Sequence, residues 1–301
     1  MARASPTRSS RSRVLLAACL ALGVGSPITP AHGAPTSPLQ ELARYRPILR
    51  YDSREEYFAQ PISRATEAID RELMYGHVVD RGGERWLQYW LFYAANTQDR
   101  GVLRTGRHEG DWEFVQLRLG PEDEPATATF AQHSSAESCA YGDLELARVG
   151  GVDVARVYVA NGSHASYPRA GTADRPWPDP NDEADGAGRQ VRPEIMTISD
   201  EDPRWVADPA PWGSTRAGPV PGEQSSPPGP RFQPDGRWDD PAAYERAARP
   251  CGSEPPGRPW QTPATIAFGL LLVGLIARGR RRRKVPGDGP AGLPGSLSGR
   301  R

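Results

Sequence analysis

Residues 86–93, WLQYWLFY, form a nearly continuous run of apolar and aromatic side chains in the first third of the chain. The run has the length of a strand and does not alternate between apolar and polar positions, which predicts a strand buried on both faces. Residues 111–119 do alternate, with Val115, Leu117 and Leu119 on one face. They predict a second strand with one face directed at a core.

The composition favours many short segments separated by turns. Glycine and proline, 32 of each, make up more than a fifth of the 301 residues, which argues against a helical bundle. Eight Trp, ten Tyr and six Phe can build a core, so the chain is not disordered throughout. Residues 128–132 and 154–160 predict further strands, and Asp240 followed by Pro241 is a typical helix start. We therefore expect a mainly β protein, an antiparallel β sandwich with long loops and a few short helices.

The N-terminus has the pattern of a secretory signal peptide. Its charge comes from four arginines, an apolar stretch follows at residues 14–24, and Ala31-His32-Gly33 supplies the small residues of a cleavage site. The apolar stretch is too short to span a membrane. We therefore expect residues 1–33 to be removed and the following domain to be exported.

A second apolar run, residues 264–277, lies near the C-terminus. Trp260 precedes it and a basic cluster, residues 278–284, follows at once, which is typical of a membrane span whose basic end stays in the cytoplasm. The sequence thus predicts a single-pass cell-membrane protein with its N-terminal domain extracellular. The predicted segments are a signal peptide (1–33), an N-terminal linker (34–44), the β sandwich (45–249), a Pro-rich linker (250–261), one transmembrane helix (262–277) and a basic cytoplasmic tail (278–301).

Charge and cysteine content agree with export. The predicted exported part, residues 34–277, contains 25 Lys and Arg against 36 Asp and Glu, a formal charge of −11. Such a surface disfavours nucleic acid as a partner and suits cations. Cys139 and Cys251 are the two cysteines that remain after cleavage, and we expect them to form a disulfide in an oxidising compartment.

Chemically informative residues concentrate in residues 106–113, GRHEGDWE. In a strand, Asp111 and Glu113 share one face, and His108 can turn towards the same face. Together with Asp99 from the preceding loop they form a candidate divalent-cation site, and the majority of oxygen ligands favours Mg²⁺ or Ca²⁺. The alternative interpretation is an acidic strand edge beside a surface histidine.

The sequence also resembles known families. Residues 89–113, YWLFYAANTQDRGVLRTGRHEGDWE, together with VYVANGSHASY and DRPWPDPNDEADG, resemble the vacuolar protein sorting-associated protein 62 family over residues 45–249. The HEGDWE segment is similar to the Gly-His-Arg-His-Asp-Trp-Glu motif of the necrosis- and ethylene-inducing cytolysins. Those proteins are secreted β sandwiches that hold a divalent cation at this motif and bind membrane sphingolipid headgroups.

By position, this resemblance implies cation-ligand roles for His108, Asp111 and Glu113. The upstream aspartate of the motif corresponds to Asp99, which lies one residue further away here. Gly110 stands where the cytolysins have their second histidine. The role of that histidine therefore has no counterpart in this chain.

Other polar residues offer further candidate sites. His133 and His164 each follow a predicted strand, so they could line a shared ligand-binding cleft. The alternative is that each satisfies backbone groups of its loop. Asn181, Glu183 and Asp185 have the spacing that opens a calcium loop, but an arginine occupies the twelfth position, which excludes an EF-hand. Without a bound ion, this segment is a solvated acidic turn.

Two classes of function follow from these observations. The first is a membrane-anchored, extracellular, cation-dependent binding module for a glycan or lipid headgroup. The second is a metal-dependent extracellular hydrolase in which Asp111 and Glu113 hold the ion and His133 or His164 acts as base. The sequence contains no Gly-x-Ser-x-Gly motif. We favour binding over catalysis.

The predicted topology can be tested directly. Protease added to intact cells should digest residues 34–260 and spare a tag fused to Arg301, because the basic cluster keeps the tail in the cytoplasm. Immunoblotting of the tag measures this. Loss of the tag from intact cells contradicts the topology, and permeabilised cells provide the control in which the tag must disappear.

Overall fold

The computed structural model of the chain describes residues 37–62, 71–98, 106–175, 179–214 and 226–253, and residue 271. The predicted signal peptide and cytoplasmic tail lie outside these ranges, as do all residues of the predicted transmembrane helix except Leu271. Among the residues that the structure describes, no helix has both the length and the apolar character needed to cross a membrane.

The described residues are mainly β, as the composition predicts. Two short helices, α1 (Pro38–Tyr45) and α2 (Pro241–Ala247), and three 3₁₀ turns (Tyr141–Asp143, Arg204–Ala207 and Pro230–Phe232) accompany the strands. The strands are β1 (Ile48–Tyr51), β2 (Leu73–Arg81), β3 (Glu84–Asn96), β4 (His108–Leu119), β5 (Pro125–Gln132), β6 (Ser135–Ala140), β7 (Leu146–Val149), β8 (Val152–Val159), β9 (Ser166–Tyr167), β10 (Gly171–Ala173), β11 (Asp182–Ala184), β12 (Gln190–Val191), β13 (Glu194–Thr197) and β14 (Arg249–Pro250).

Most of these strands belong to two sheets. One is seven-stranded, in the order β13-β2-β3-β4-β5-β6-β14, and the other has the order β12-β1-β8-β7, with β9 also paired to β8. Strands β2 to β6 follow one another as antiparallel neighbours, because short connections reverse the chain between most of them. Strands β13, β14 and β1, however, lie parallel to β2, β6 and β8. The mainly β, two-sheet expectation is therefore confirmed, whereas the expectation of purely antiparallel sheets is wrong.

Strand β3 explains the unbroken apolar run of residues 86–93. One set of its side chains, including Tyr89 and Tyr93, faces a core that also contains Leu49 of β1 and Val157 of β8. The opposite set, including Trp90, packs against an aromatic cluster formed with the loops after β13 and with helix α2. Both faces of the central sheet are thus covered, which is the situation in which a strand loses its polar alternation.

The two helices show different degrees of agreement with the sequence analysis. Helix α2 begins as predicted, because the Asp240 carboxylate caps it by accepting the Ala243 N–H at 2.9 Å. Helix α1 occupies residues predicted as a linker. Ser37 forms a reciprocal capping box with Gln40, and Leu42 is fully buried in the core. The apolar side of this short helix completes the layer between the sheets.

The structure pairs Cys139 with Cys251, as the cysteine content predicts. Cys139 is buried in β6, and Cys251 directly follows β14, so the bridge holds the parallel β14 at the sheet edge. It links residues 112 positions apart. Closing so long a loop removes much of the conformational freedom of the unfolded chain.

Replacing both cysteines by serine should lower the free energy of unfolding by about 4–5 kcal/mol, the loss that the chain-entropy model gives for a loop of this length. Urea unfolding of the non-reduced purified protein, wild type against Cys139→Ser/Cys251→Ser, measures the difference. Alkylation of the unreduced wild type should label neither Cys139 nor Cys251. Equal unfolding midpoints, or labelling of both, would contradict the pairing.

Candidate functional site

Polar residues from four segments meet at one end of the seven-stranded sheet. Strand β3 ends at Asn96, which pairs with His108 at the start of β4. Strand β5 ends at the same edge, just before His133, and the turn after β8 supplies His164. Because antiparallel neighbours alternate in direction, the end of one strand lies beside the start of the next. The pairing thus brings segments that are far apart in sequence to a common edge.

The alternation predicted for β4 is present in the structure. Asp111 pairs with Tyr93 and faces the layer between the sheets, while Trp112 packs into the aromatic cluster on the opposite face. Glu113 lies two residues further along and shares the face of Asp111. Both carboxylates are buried, with Asp111 5% and Glu113 6% exposed.

Asp111 uses one carboxylate oxygen within the protein. Its Oδ2 accepts hydrogen bonds from Asn96 Nδ2 at 3.3 Å and from His164 Nδ1 at 2.9 Å. Its Oδ1 accepts no hydrogen bond from any described residue, and it lies 3.9 Å from His108 Nε2.

His164 is completely buried between two carboxylates. Its ring stacks on Tyr93, with the ring centroids 3.9 Å apart. Its Nε2 lies 3.4 Å from Glu55 Oε1, so the two groups form an ion pair, but their geometry is not that of a hydrogen bond. Glu55 is itself fixed by the Gly162 N–H at 2.6 Å. Burial by itself would lower the pKa of His164, but Glu55 and Asp111 outweigh it and raise that pKa to about 10. His164 is therefore an imidazolium at neutral pH and cannot act as a base.

His108 has a defined tautomer. Its Nδ1 lies 2.8 Å from the carbonyl oxygen of Gly110, which can only accept a hydrogen bond, so Nδ1 carries the hydrogen and Nε2 keeps a lone pair. Gly110 has φ +65°, and a Cβ at this position would lie 2.6 Å from the Trp212 carbonyl oxygen. A side chain is therefore excluded where the cytolysin motif has its second histidine.

Glu113 differs from the other acidic groups of this region. No described residue donates a hydrogen bond to its carboxylate, although the side chain is buried. Burial, and then the neighbouring Asp111, raise the pKa of Glu113 well above its usual range. The charges of Arg237 and His164 lower the same pKa, but by less than burial and Asp111 raise it.

A second polar network surrounds Asp182 of β11. The fully buried carboxylate accepts hydrogen bonds from Ser163 Oγ and Gln98 Nε2 at Oδ1, and from His133 Nε2 and Tyr167 Oη at Oδ2, all at 2.6–2.7 Å. Burial alone would raise the pKa of Asp182, but His133 and these bonds hold it well below its usual range. Ser163 directly precedes His164, so the two networks are adjacent.

The three candidate calcium ligands each contact a different partner in the structure. The Asn181 side-chain oxygen accepts the Arg175 N–H, and Glu183 pairs with Arg54. Asp185 accepts hydrogen bonds from the backbone and side chain of Ser53. The segment contains strand β11, whose alternation directs Asp182 inwards and Glu183 outwards.

The described part of the chain contains one group of three His, Cys, Asp or Glu ligand atoms within 4.8 Å of one another, namely Glu137, Cys139 and Cys251. The two cysteines are joined by the disulfide, so this group is not a metal site. The predicted ligands His108, Asp111 and Glu113 are therefore near neighbours that are not drawn together to ligand spacing. Asp99 lies outside the described residues.

Sequence reasoning missed Glu55 and Asp182 as members of the site. Glu55 lies in a loop after β1, where neither spacing nor a motif signals its contact with His164. Asp182 lies inside the candidate calcium loop, but it is the second residue of that loop, and the predicted ligands are the first, third and fifth. The only feature of the sequence that could have indicated its inward direction is the alternation of the three residues that form β11.

Comparison with known proteins agrees with the sequence resemblance. The family model of vacuolar protein sorting-associated protein 62 matches residues 89–174. The resemblance to that family is confirmed. The matched residues include β4, His133 and His164, and no curated protein matches the chain.

Solved structures similar to this chain include necrosis- and ethylene-inducing proteins, the second group in the sequence resemblance. "Toxin fold for microbial attack and plant defense" is 15% identical, with 55% of this chain and 75% of that chain covered and a TM-score of 0.35. "NLPPya in complex with mannosamine" is 16% identical, with the same coverage and TM-score. Necrosis and Ethylene inducing Protein 2 from the causal agent of cocoa's Witches Broom disease is 14% identical over 55% and 74%, with a TM-score of 0.34. These values are too low to transfer a ligand or a mechanism.

The raised pKa of His164 predicts a pH dependence of stability. The folded-state pKa of about 10 exceeds the unfolded value of 6.5, so this contribution is complete below pH 6.5 and is lost as the pH rises through 10. Glu55→Gln should lower the free energy of unfolding by about 3–5 kcal/mol at neutral pH, because it removes one partner of a buried ion pair. Glu55→Gln should also reduce the decrease in the free energy of unfolding that accompanies a rise in pH towards 10.

Urea unfolding between pH 6 and pH 10 measures both effects. Glu194→Gln is the matched control, because it breaks an exposed pair with Arg71 and should cost about 1 kcal/mol or less. A Glu55→Gln protein as stable as Glu194→Gln at neutral pH would rule out the charged triad of Glu55, His164 and Asp111.

Proposed function

We propose that this protein is a divalent-cation-dependent binding module for glycan or lipid headgroups, displayed on the outside of the cell membrane. The cation site consists of His108, Asp111 and Glu113, with Asp99 as a further ligand, and Mg²⁺ or Ca²⁺ is the ion. The observation that carries this proposal is the pair of buried carboxylates on one face of β4, one of which has no hydrogen-bond donor among the described residues.

The donor types suit such an ion, although the three side chains would have to move to reach ligand spacing. His108 keeps its Nε2 lone pair because Nδ1 donates to the Gly110 carbonyl, the arrangement usual for a metal-bound histidine. Asp111 Oδ1 lies 3.9 Å from that nitrogen and is free of hydrogen bonds from described residues. Two carboxylates and one imidazole present mostly hard oxygen ligands, which suits Mg²⁺ or Ca²⁺ better than zinc.

Electrostatics support the same conclusion. Glu113 is buried beside Asp111, and bringing two carboxylates together out of water is costly without a positive partner. The imidazolium of His164 already pairs with Glu55 and Asp111. Arg237 and His164 lower the pKa of Glu113 by less than burial and Asp111 raise it. A divalent cation between Asp111 and Glu113 would favour the ionised form of both side chains.

A cation held by so few protein groups has coordination positions left for oxygen atoms of a ligand. Hydroxyl groups of sugars and oxygens of lipid headgroups are suitable ligands for Mg²⁺ and Ca²⁺. The formal charge of −11 on residues 34–277 makes nucleic acid an unfavourable partner. The proposed ligand class is therefore a neutral or weakly charged polar headgroup.

The proposed location rests on three features. The disulfide between Cys139 and Cys251 suits an oxidising compartment outside the cytoplasm. The signal pattern at residues 1–33 would direct export, and the apolar segment with its basic flank at residues 262–284 would anchor the exported domain. The binding site would thus face ligands on the extracellular side.

Cation binding should stabilise the fold by mass action. Saturating Ca²⁺ or Mg²⁺ should raise the Tm of the wild type over chelated protein, by several degrees once the free ion exceeds about 100 times Kd. Asp111→Asn and Glu113→Gln should abolish the rise. Glu113→Gln is the safer variant, because no described residue depends on that carboxylate for a hydrogen bond. Acidification should weaken binding, because protons compete for the ligand atoms.

Scanning calorimetry and titration calorimetry provide the measurements, with Glu183→Gln as the matched control from the other acidic segment. Unchanged cation affinity in Glu113→Gln and Asp111→Asn, with loss of affinity in Glu183→Gln, would move the ion to the segment of Asn181, Glu183 and Asp185. No stabilisation by any divalent cation would refute the cation-dependent function.

The alternative function, a metal-dependent hydrolase, needs the same ion and a base. His164 is already protonated and enclosed, so His133 is the candidate that remains. Incubating the cation-loaded protein with glycolipid vesicles and following released sugar distinguishes the two functions. Steady product release would support the hydrolase, and cation-dependent retention of intact glycolipid would support the binding module.

A further inference from the structure

Two arginines lie at points where the chain changes from one element to the next. Arg46 ends helix α1 just before β1, and Arg192 lies between β12 of the smaller sheet and β13 of the seven-stranded sheet. Each directly precedes a proline, Pro47 or Pro193, and both prolines are buried. Because a following proline confines the preceding residue to extended backbone, the backbone of both arginines is restricted.

Arg192 binds the C-terminal end of helix α1 and so lies beside Arg46. Its Nε donates to the Arg46 carbonyl oxygen at 3.0 Å, and its Nη2 donates to those of Ala43 and Arg44 at 2.9 and 3.2 Å. The negative end of the helix dipole offsets part of the charge of Arg192. These bonds fix one side of the guanidinium, and Nη1 on its other side donates to no described residue.

Arg46 differs from Arg192, because its guanidinium has no acceptor at all among the described residues. The side chain is partly buried, and its Nε is fully enclosed without a hydrogen-bond partner. Burial, and then the charge of Arg192, lower the pKa of Arg46, and Tyr89 and Glu194 raise it by less. An enclosed N–H without an acceptor is rare in native proteins and indicates a bound water or ion.

The protein offsets the charge of these two arginines only in part. Arg118, another partly buried arginine, pairs with Glu245 at 3.2 Å. Glu194, the carboxylate whose charge acts on Arg46, is exposed and pairs with Arg71 at 2.7 Å. The formal charge of residues 34–277 is −11, so a locally positive position is unusual in this part of the chain.

A tetrahedral dianion is the ligand class that suits this arrangement. Guanidinium groups bind phosphate and carboxylate oxygens through charge-assisted hydrogen bonds. Two guanidiniums from different segments need acceptor oxygens in more than one plane, which a tetrahedral group provides and a planar carboxylate does not. A dianion also offsets two positive charges, whereas a phosphate diester or a carboxylate carries one negative charge.

We propose that Arg46 and Arg192 together bind a dianionic tetrahedral oxyanion, namely sulfate or phosphate, the latter as the free ion or as a monoester of a small molecule. The oxyanion accepts hydrogen bonds from the Arg46 guanidinium and from Arg192 Nη1, while the α1 carbonyl oxygens hold Arg192 in place. The site uses none of the proposed cation ligands, so it goes beyond the proposed function.

Titration calorimetry of the full-length protein tests the site with sulfate, inorganic phosphate and glycerol 3-phosphate, and with dimethyl phosphate as the monoanionic diester. Arg46→Gln should weaken binding of the three dianions by about tenfold or more, because it removes charge-assisted hydrogen bonds. Dimethyl phosphate should bind the wild type about tenfold or more weakly than the dianions for the same reason. Arg44→Gln is the matched control, because Arg44 is an exposed arginine of the same helix whose partner Glu124 lies 3.8 Å away, and its affinities should equal those of the wild type.

Urea unfolding provides a readout that a merely structural role of Arg46 would not produce. In chloride buffer, Arg46→Gln should be at least as stable as the wild type, because it removes a partly buried charge that is offset only in part. Sulfate stabilises proteins in general by its exclusion from their surface, so all variants should gain stability in sulfate. The wild type and Arg44→Gln should gain more than Arg46→Gln, and this excess measures binding at the site.

The outcomes separate this inference from the proposed function. Tighter binding of glycerol 3-phosphate than of phosphate supports the site and assigns the monoester, and the reverse order supports it and assigns the free ion. Equal dianion affinities of the wild type and Arg46→Gln, or no dianion binding by the wild type, overturn the inference. Dimethyl phosphate binding as tightly as the dianions also overturns it. The titration with divalent cations tests the cation site separately.

Discussion

The buried imidazolium of His164 is the interaction on which the site depends. It lies between Glu55, which follows a strand of the smaller sheet, and Asp111, which belongs to the seven-stranded sheet. Stacking on Tyr93 fixes the plane of the ring, and the Gly162 N–H fixes Glu55. The triad thus joins the two sheets at the edge where the functional residues collect. Its partners must stay together, because separating them would leave a charge buried without compensation.

This triad also determines what remains for a ligand. His164 donates to one oxygen of Asp111, and the described residues donate no hydrogen bond to the other oxygen or to Glu113. The same turn that carries His164 carries Ser163, which contacts Asp182 and so helps to set the direction of His133. Neighbouring residues of one turn therefore support both polar networks. Such rigid support is what holds ligand-binding atoms in place before a ligand arrives.

Aromatic packing supports the strands that carry the candidate site. Aromatic side chains cover both faces of β3 and β4, so the strands that carry Asp111 and Glu113 are held from two sides. The Trp212 backbone approaches Gly110 closely and so fixes the first residues of β4. This positions the Gly110 carbonyl oxygen, to which His108 donates. A side chain at residue 110 would displace that loop. The glycine is thus a structural requirement of the packing beside the site.

The sequence by itself determined the local features of this protein. The unbroken apolar run of residues 86–93 and the alternation of residues 111–119 were enough to predict β3, β4 and the shared face of Asp111 and Glu113, because strand periodicity depends on neighbouring residues alone. Cysteine content likewise predicted the disulfide. Only the tertiary structure decided that β1, β13 and β14 pair in parallel, that Glu55 contacts His164 and Asp182 contacts His133, and that Asp182–Ala184 is a strand. These contacts join residues up to 121 positions apart, as between Leu73 of β2 and Glu194 of β13, and their partners are selected by sheet packing and charge compensation in the folded chain.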